Sequence, residues 1–331
     1  MILIFSIQDD RTTTMVMDWL AFLKKDFYVI YSNSNVEIFD ISVDTKLGVD
    51  YVIKKQEAKI NKVIKYSEIT SVWFRRGFLS PKNFKLNIKE RGVANIDIIS
   101  NAFKSHLNNE YKSVVDFLYE TLNEKLTLNN SFKLEINKMS TLVKAAECGL
   151  LVPYSTIITS IEELNVLKQK KSRFILKSIQ ALFDLNFEND FFCNYTEEFS
   201  AKIPKKIPNR FFPTLFQEMV DKDFEIRVFY IDGRCYSMAI FSQNDSQTTV
   251  DFRKYNTKKP NRTVPYKLPI NVVKKIDKLM NRLGLNSGSI DIIKSKLNEY
   301  IFLEVNPVGQ FGMVSAPCNY FLEKKVANFF N

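Results

Sequence analysis

Glu304 and Asn306 stand two residues apart inside the run EYIFLEVNPVGQF, residues 299–311. Tyr300, Ile301, Phe302, Leu303 and Val305 are strand formers, and Pro307 ends the run. At a period of two, the carboxylate and the amide point to the same face. Placed on a strand that wants burial, they cost free energy unless something compensates, and a hard cation such as Mg²⁺ takes oxygen ligands of this kind. A second strand, GSIDII at 288–293, carries one acid, Asp291, in an apolar run. A turn at 295–298 would set Asp291 opposite Phe302, on the face of Glu304 and Asn306. A turn one residue longer would flip that relation. The competing reading is an edge strand with a solvated polar face.

These residues need elements to position them. Residues 1–6 read as a buried strand, and DDRTT at 9–13 as a turn with helix N-cap chemistry. Residues 15–23 read as a helix whose apolar stripe is Met15, Trp19, Phe22 and Leu23. Strands at 27–31 and 36–41 complete a β-α-β alternation, the mark of a small α/β domain. The strand at 71–77 ends in Arg75 and Arg76, which either meet solvent or line a cleft that faces phosphate or carboxylate. A long helix over 95–126 packs on this domain.

From 136 the pattern changes. Asn137-Lys138-Met139 opens a helix that ends at Gly149, and Ser160 with Glu163 forms a capping box. The buried strand at 173–177 ends in Lys177, which either snorkels to solvent or meets a phosphate. Residues 182–195, with Phe183, Asp184, Phe187, Asp190 and Phe192, read as an exposed hairpin, and 200–213 as a loop. Strands follow at 214–220 and 224–231. The second turns at Asp232-Gly233 into 235–241, and on it Glu225 and Arg227 share a face. Arg253 and Tyr255 lie on the next extended piece, and 270–283 is an amphipathic helix ended by Gly284. A terminal helix covers 321–330.

Composition sets the outer limits. The 331 residues suffice for two or three domains, and no apolar run approaches the roughly 20 residues of a membrane helix. The start lacks a signal peptide's basic segment. One histidine and four scattered cysteines argue against a zinc site or a histidine-based triad, and fit reduced thiols in a cytoplasm. The net charge of +10 is compatible with an acidic peptide or phosphate ligand. No RNA-binding aromatic motif or long basic run accompanies it, so nucleic acid and membrane are not expected partners.

In order, the chain presents Asn137-Lys138, Lys177 after FIL, Gln217-Glu218-Met219-Val220, Glu225-x-Arg227, Asp291, and Glu304-x-Asn306. This order resembles the ATP-grasp ligases. NKMSTLVKAAECGLLVPYSTIIT, VWFRRG and LEVNPVGQFG most resemble the microviridin-type (graspetide) peptide maturases, including the grasp-with-spasm branch. The resemblance implies an α/β (α+β) ATP-grasp fold: an N-terminal α/β domain (1–130), a central subdomain with a leader-binding hairpin (131–215), and a C-terminal subdomain with the magnesium site (216–331). It implies ATP and two Mg²⁺, with Lys138 and Lys177 on phosphate and 217–220 with Glu225 around the nucleotide. Asp291, Glu304 and Asn306 become metal ligands. Arg227, with Lys177 and Arg253, sits by the transferred phosphoryl group. The hairpin residues Phe183, Asp184, Phe187, Asp190 and Phe192, with Arg75, Arg76 and Tyr255, face the peptide.

The implied reaction phosphorylates Asp or Glu side chains of a ribosomal precursor peptide and closes esters with Thr or Ser, or amides with Lys. A homodimer is expected by the same analogy. One departure stands out: after Lys177 the chain reads SIQALFD, without the glycines that cradle phosphate in many such enzymes. An enzyme adding amino acids to a peptide or small carboxylate, and a non-catalytic nucleotide-binding regulator, are the alternatives.

Overall fold

The computed structural model describes residues 1–32, 34–56, 61–79, 96–170, 173–180, 184–187, 190–193, 196–199, 208–243 and 260–330. The chain divides into two compact units, Met1–Leu134 with Glu323–Asn331, and Glu135–Leu322.

The first unit opens with β1 (Ile2–Ser6), α1 (Arg11–Phe22) and β2 (Phe27–Tyr31). There follow β3 (Asn35–Asp44), β4 (Gly48–Gln56), β5 (Asn61–Lys65), β6 (Ser71–Phe74), α2 (Ile96–Asn123) and β7 (Leu126–Leu128). Strands β2-β1-β6-β7 form a parallel sheet, and β3-β4-β5 an antiparallel one. Every residue of β1 and β6 is buried, as the continuous apolar runs of a parallel strand require. Helix α2 closes the core with Val115, Leu118, Tyr119 and Leu122.

Helix α1 forms where expected but turns a different face inward. Thr13, Val16 and Leu20 are buried, whereas Phe22 of the expected stripe is 74 % exposed. Both sets have helical spacing; a buried hydroxyl contact selects between them, Thr13 to Ser6 on β1 at 2.8 Å. Trp19 and Phe22 meet edge to face on the outer side, and Lys324 from the chain's end lies over the Trp19 ring. Beside α1, Gly77 approaches β1 so closely that a Cβ there would fall 2.3 Å from the Ser6 carbonyl oxygen.

The second unit runs α3 (Lys138–Glu147), β8 (Ser155–Ser160), α4 (Ile161–Gln169), β9 (Phe174–Lys177), β10 (Asp184–Phe187), β11 (Asp190–Cys193), β12 (Glu197–Glu198) and β13 (Arg210–Glu218). It continues with β14 (Lys222–Ile231), β15 (Arg234–Phe241), β16 (Arg262–Tyr266), α5 (Ile270–Leu283), β17 (Ser287–Ser295), β18 (Tyr300–Asn306) and α6 (Gly312–Cys318); α7 (Leu322–Phe329) ends the chain. Strands β12-β9-β13-β8 make one antiparallel sheet and β16-β15-β14-β17-β18 another, while among the described residues β10 and β11 pair only with each other.

Local chemistry explains most boundaries. Asn137 caps α3 through the Ser140 amide, and Ser160 and Glu163 exchange both bonds of a capping box on α4. Gly284 ends α5 at φ 65°, the left-handed conformation a glycine adopts without strain. Strand β13 begins at Arg210, earlier than the loop reading allowed. Pro213 is accommodated because the register with β8 shifts between Arg210 and Thr214, which frees that position from the ladder. The short helix α6 was not anticipated, since Pro317 lies within it.

The two larger sheets of the second unit each cover one face with helices. Helix α4 packs Leu164 and Leu167 on Phe174 and Phe216. Helices α3 and α5 pack Leu142, Ala145, Ile276, Leu279 and Met280 on Ile226, Val228, Ile290, Ile292, Phe302 and Val305 of the five-stranded sheet. That apolar face takes alternate residues, so Glu225, Arg227, Asp291 and Ile293 are left on the other. Among the described residues, no helix is long and apolar enough to cross a membrane.

In the first unit, Arg75 donates from Nε to Asp10 Oδ2 at 2.9 Å and from its terminal nitrogen to Thr12 Oγ1 at 2.7 Å. Burial alone would raise the Asp10 carboxyl, but the Arg75 charge, with hydrogen bonds from Thr12 and Arg75, holds it below the ordinary carboxylate range. A depressed folded-state value means that the ion pair stabilises fully above the unfolded carboxylate range and is lost as pH falls through the folded value. Asp10→Asn keeps the cap acceptor on the Thr12 amide and removes the charge. It is expected to cost about 3 kcal/mol at pH 7 and to flatten the acid limb of stability, checked by urea unfolding from pH 7 to pH 3.

Candidate active site

The five-stranded sheet brings its charged residues into line. Arg227 on β14 lies directly opposite Asp291 on β17, and Asp291 directly opposite Glu304 on β18. Asn306 pairs with Ser289, two residues along the same face.

This alignment depends on a β-bulge. The β17–β18 turn is one residue longer than the four-residue turn, so Lys294 pairs with Tyr300, Ile293 with Ile301 and Ile292 with Phe302. In that register Asp291 would sit across from Leu303, and Glu304 would point into the core. The register shifts between Asp291 and Ile292, leaving Leu303 as the extra residue and setting Asp291 across from Glu304. The three oxygen-bearing side chains thus share a face, as expected, by a different route. A second shift lies between Lys222 and Phe224 and puts Lys222 on the face of Glu225, where plain alternation would separate them.

Five charges meet here. Arg227 grips both Asp291 oxygens from one terminal nitrogen at 2.6 and 2.7 Å, while its buried Nε has no partner among the described residues. Lys138, at the start of α3, places Nζ 3.4 Å from Glu304 Oε2 and donates to the Ser178 carbonyl at 3.2 Å. Lys177, the last residue of β9, places Nζ 3.8 Å from the same oxygen with only 10 % of its side chain exposed. It does not snorkel; it reaches from the four-stranded sheet to a carboxylate of the five-stranded one. The cluster forms one end of a cleft between the sheets.

The other end is open to solvent and lined by Ile175, 217–220, Lys222, Glu225, Ile293 and Leu303. Apolar side chains from the two sheets, Ile175 on one and Ile293 and Leu303 on the other, flank it. The amides of Glu218 and Met219 are already bonded, to the carbonyls of Tyr154 and Arg173. Gln217 is buried and donates to Ser155 Oγ at 3.0 Å. Glu225 accepts from Lys222 at 2.6 Å and from Ser242 at 2.5 Å; burial, opposed by Lys222, keeps its carboxyl above the ordinary range.

Sequence reading passed over Lys222, Leu303 and Ser242. The bulges hid the first two, and the third joins Glu225 only through tertiary packing. The donor set suits a hard divalent cation: two carboxylates and an amide oxygen on one face. Among the described residues, no group of three or more His, Cys, Asp or Glu side chains is placed to hold a metal ion, here or elsewhere.

Other expected site residues fall elsewhere. Arg75 is buried in the first unit against Asp10 and Thr12, so the side chain expected to face a ligand serves the fold. Its neighbour Arg76 is half-buried in the same unit. The hairpin of β10 and β11 forms, with Phe187 paired to Asp190 and Asp184 to Cys193. Phe183, Arg253 and Tyr255 lie outside the described residues.

No protein-family model matches the chain, and no curated protein matches it. Solved structures do. An ATP-grasp ligase of Chryseobacterium gregarium, RiPP-associated and in complex with ADP and a leader and core peptide, superposes with a TM-score of 0.77 at 18 % identity, over 99 % of this chain and 94 % of that one. The fold is that of the ATP-grasp ligases. The macrocyclase MdnC of Microcystis aeruginosa, bound to its precursor peptide MdnA, gives a TM-score of 0.73 at 20 % identity, covering 100 % and 99 %. The ATP-grasp ligase PsnB, with a minimal precursor, Mg and ADP, gives 0.69 at 16 %, covering 99 % and 96 %.

Within this ATP-grasp fold, the bulge is what separates an aligned cluster from a scattered one. Deleting Leu303, the extra residue itself, would remove the bulge while keeping Ile292 opposite Phe302 and Asp291 opposite Glu304, so the charged cluster stays aligned and only the Leu303 side chain is lost from the cleft. The expected outcome is a folded chain, with far-ultraviolet dichroism retained, whose ADP affinity by calorimetry falls by no more than about tenfold, the loss of one leucine contact; a far larger loss would show that the bulge does more than set the parity.

Proposed function

We propose that the protein is an ATP-dependent carboxylate ligase that closes rings in a ribosomally made precursor peptide. The observation that carries this is the convergence of Lys138, Lys177, Arg227, Asp291 and Glu304 at one end of a cleft between two sheets. The apolar lining of the other end, Ile175, Ile293 and Leu303, supports a base-binding role for it. Solved structures with this fold hold precursor peptides, two of them with ADP and one of those with Mg, which supports the substrate class and the cofactor.

In this reading Lys138 and Lys177 neutralise the nucleotide's phosphates, and 217–220 with Glu225 border its base and sugar. Asp291, Glu304 and Asn306 would hold two magnesium ions, which when bound offset charge on the β- and γ-oxygens. Arg227 stands beside Asp291 and faces the transferring phosphoryl group, with Arg253 completing the acceptor side. A substrate Asp or Glu carboxylate takes the γ-phosphoryl group and ADP leaves. A Thr or Ser hydroxyl, or a Lys amine, then attacks the acyl carbon; its proton is lost and phosphate departs. The enzyme supplies no covalent nucleophile, in keeping with one histidine and the free thiols of Cys148, Cys235 and Cys318.

We assign residues 1–130, 131–215 and 216–331 to the N-terminal, central and C-terminal parts of the fold. The β10–β11 hairpin, through Phe183, Asp184, Phe187, Asp190 and Phe192, grips the leader. Arg76 and Tyr255 border the acceptor peptide, and the chain works as a cytoplasmic homodimer. The positive net charge suits an acid-rich core peptide and makes its binding salt-sensitive.

Mass spectrometry tests the function. Incubation with ATP, Mg²⁺ and an acid- and Thr-rich precursor should remove one water per bond formed and release ADP. Mild alkali that restores the mass identifies esters. ADP formed only with free amino acids would replace this reading with amino-acid ligation, and ATP bound but unconsumed would replace it with a regulator. Glu304→Gln should lower turnover by about a hundredfold or more; a rate near wild type in single-turnover assays would remove Glu304 from the metal site.

A further inference from the structure

The five charges are paired with one another, and the pairing crosses the cleft. Lys177 leaves one sheet and Lys138 leaves α3, and both approach the same oxygen of Glu304 on the other sheet. Arg227 covers both oxygens of Asp291. Three cations against two carboxylates leave the cluster formally positive. These side chains are mostly buried, Arg227 9 % and Lys177 10 % exposed, so water screens them poorly.

A divalent cation arriving alone meets this cluster at a disadvantage. Both carboxylates it needs are engaged by cations, and taking either one leaves those cations beside a new like charge. A polyanionic nucleotide has the opposite effect. Its phosphates offer Lys138 and Lys177 a stronger partner than Glu304, reverse the local sign and leave the carboxylate to the metal.

We propose that Lys138 and Lys177 act as a clasp on Glu304 that makes metal binding conditional on the nucleotide: the nucleotide draws the lysines away, and only then is the metal site open. This rests on the ligase reading and adds to it a binding order set by two named side chains. Both lysines also touch the nucleotide in that reading, so the decisive readout is metal affinity without any nucleotide.

The full chain, stripped of metal, would be titrated with Mn²⁺ in the absence of nucleotide, with free ion followed by electron paramagnetic resonance. Binding of ADP would be measured separately by calorimetry in excess chelator. The wild-type protein should bind ADP without metal and bind Mn²⁺ alone only weakly. Lys177→Met should tighten nucleotide-free Mn²⁺ binding by about tenfold or more, because one like charge is gone. Lys177→Arg, which keeps the charge, should restore the weak binding and so separate the clasp from a folding defect. Glu304→Gln should lose the gain when combined with Lys177→Met.

Equal Mn²⁺ affinity in wild type and Lys177→Met would overturn the clasp while leaving the ligase reading intact. So would ADP binding that needs Mn²⁺. If the wild type binds ADP neither with nor without Mn²⁺, the nucleotide assignment itself falls and the clasp with it.

Discussion

A strand has only two faces, and side chains alternate between them without exception until the ladder is broken. That constraint governs the second unit. Its five-stranded sheet must give one face to Leu279, Met280 and their neighbours on α3 and α5, which fills alternate positions with apolar side chains. What remains for chemistry is the other parity. Arg227 and Asp291 satisfy it directly, being cross-strand partners. Glu304 and Lys222 do so only because Leu303 and Asp223 are the extra residues of two irregularities in the register. Leu303 also lines the open end of the cleft beside Ile293, so one added residue touches both ends of it.

Charges taken out of water must be paired, and the protein meets that requirement in two ways. In the first unit, Arg75 and Asp10 lock the end of β6 to the start of α1, with Thr12 completing the network. That pair is almost wholly buried and serves to hold the parallel sheet against its helix. In the second unit, Arg227 with Asp291 and the two lysines with Glu304 are less buried and stand at the edge of a cleft. Coulombic attraction operates in both places, less screened in the first and over a shorter distance there than in the lysine pairs. The second set keeps enough exposure for a polyanion to compete for its cations, which separates a structural ion pair from one that a ligand exchanges.

Reading the sequence recovered the elements whose signals are local. The capping box of Ser160 and Glu163, the Asn137 cap and the Gly284 stop each act within one turn of chain, and each formed as read. Lys177, Asp291 and Glu304 were legible too, as charged groups set against apolar strands, Arg227 as sharing a face with Glu225, and Lys138 through the family resemblance. Their convergence was not, because it depends on turn length and on bulges that leave no mark in composition. The inward face of α1 was missed for a related reason. Two stripes of equal helical spacing compete there, and the Ser6–Thr13 contact that chooses between them joins separate elements.

By itself, then, the sequence determined which groups carry charge, which segments are strands or helices, and where most helices start and stop, since these follow from interactions a few residues apart. The tertiary structure decided which of those groups meet. It assigned Arg75 to the fold through a partner 65 positions away in the chain. It set Asp291 opposite Glu304 through a register that a one-residue change would reverse. It also brought Lys138 and Lys177 from separate elements to a single carboxylate oxygen, and a contact of that kind is fixed by packing and charge balance in space.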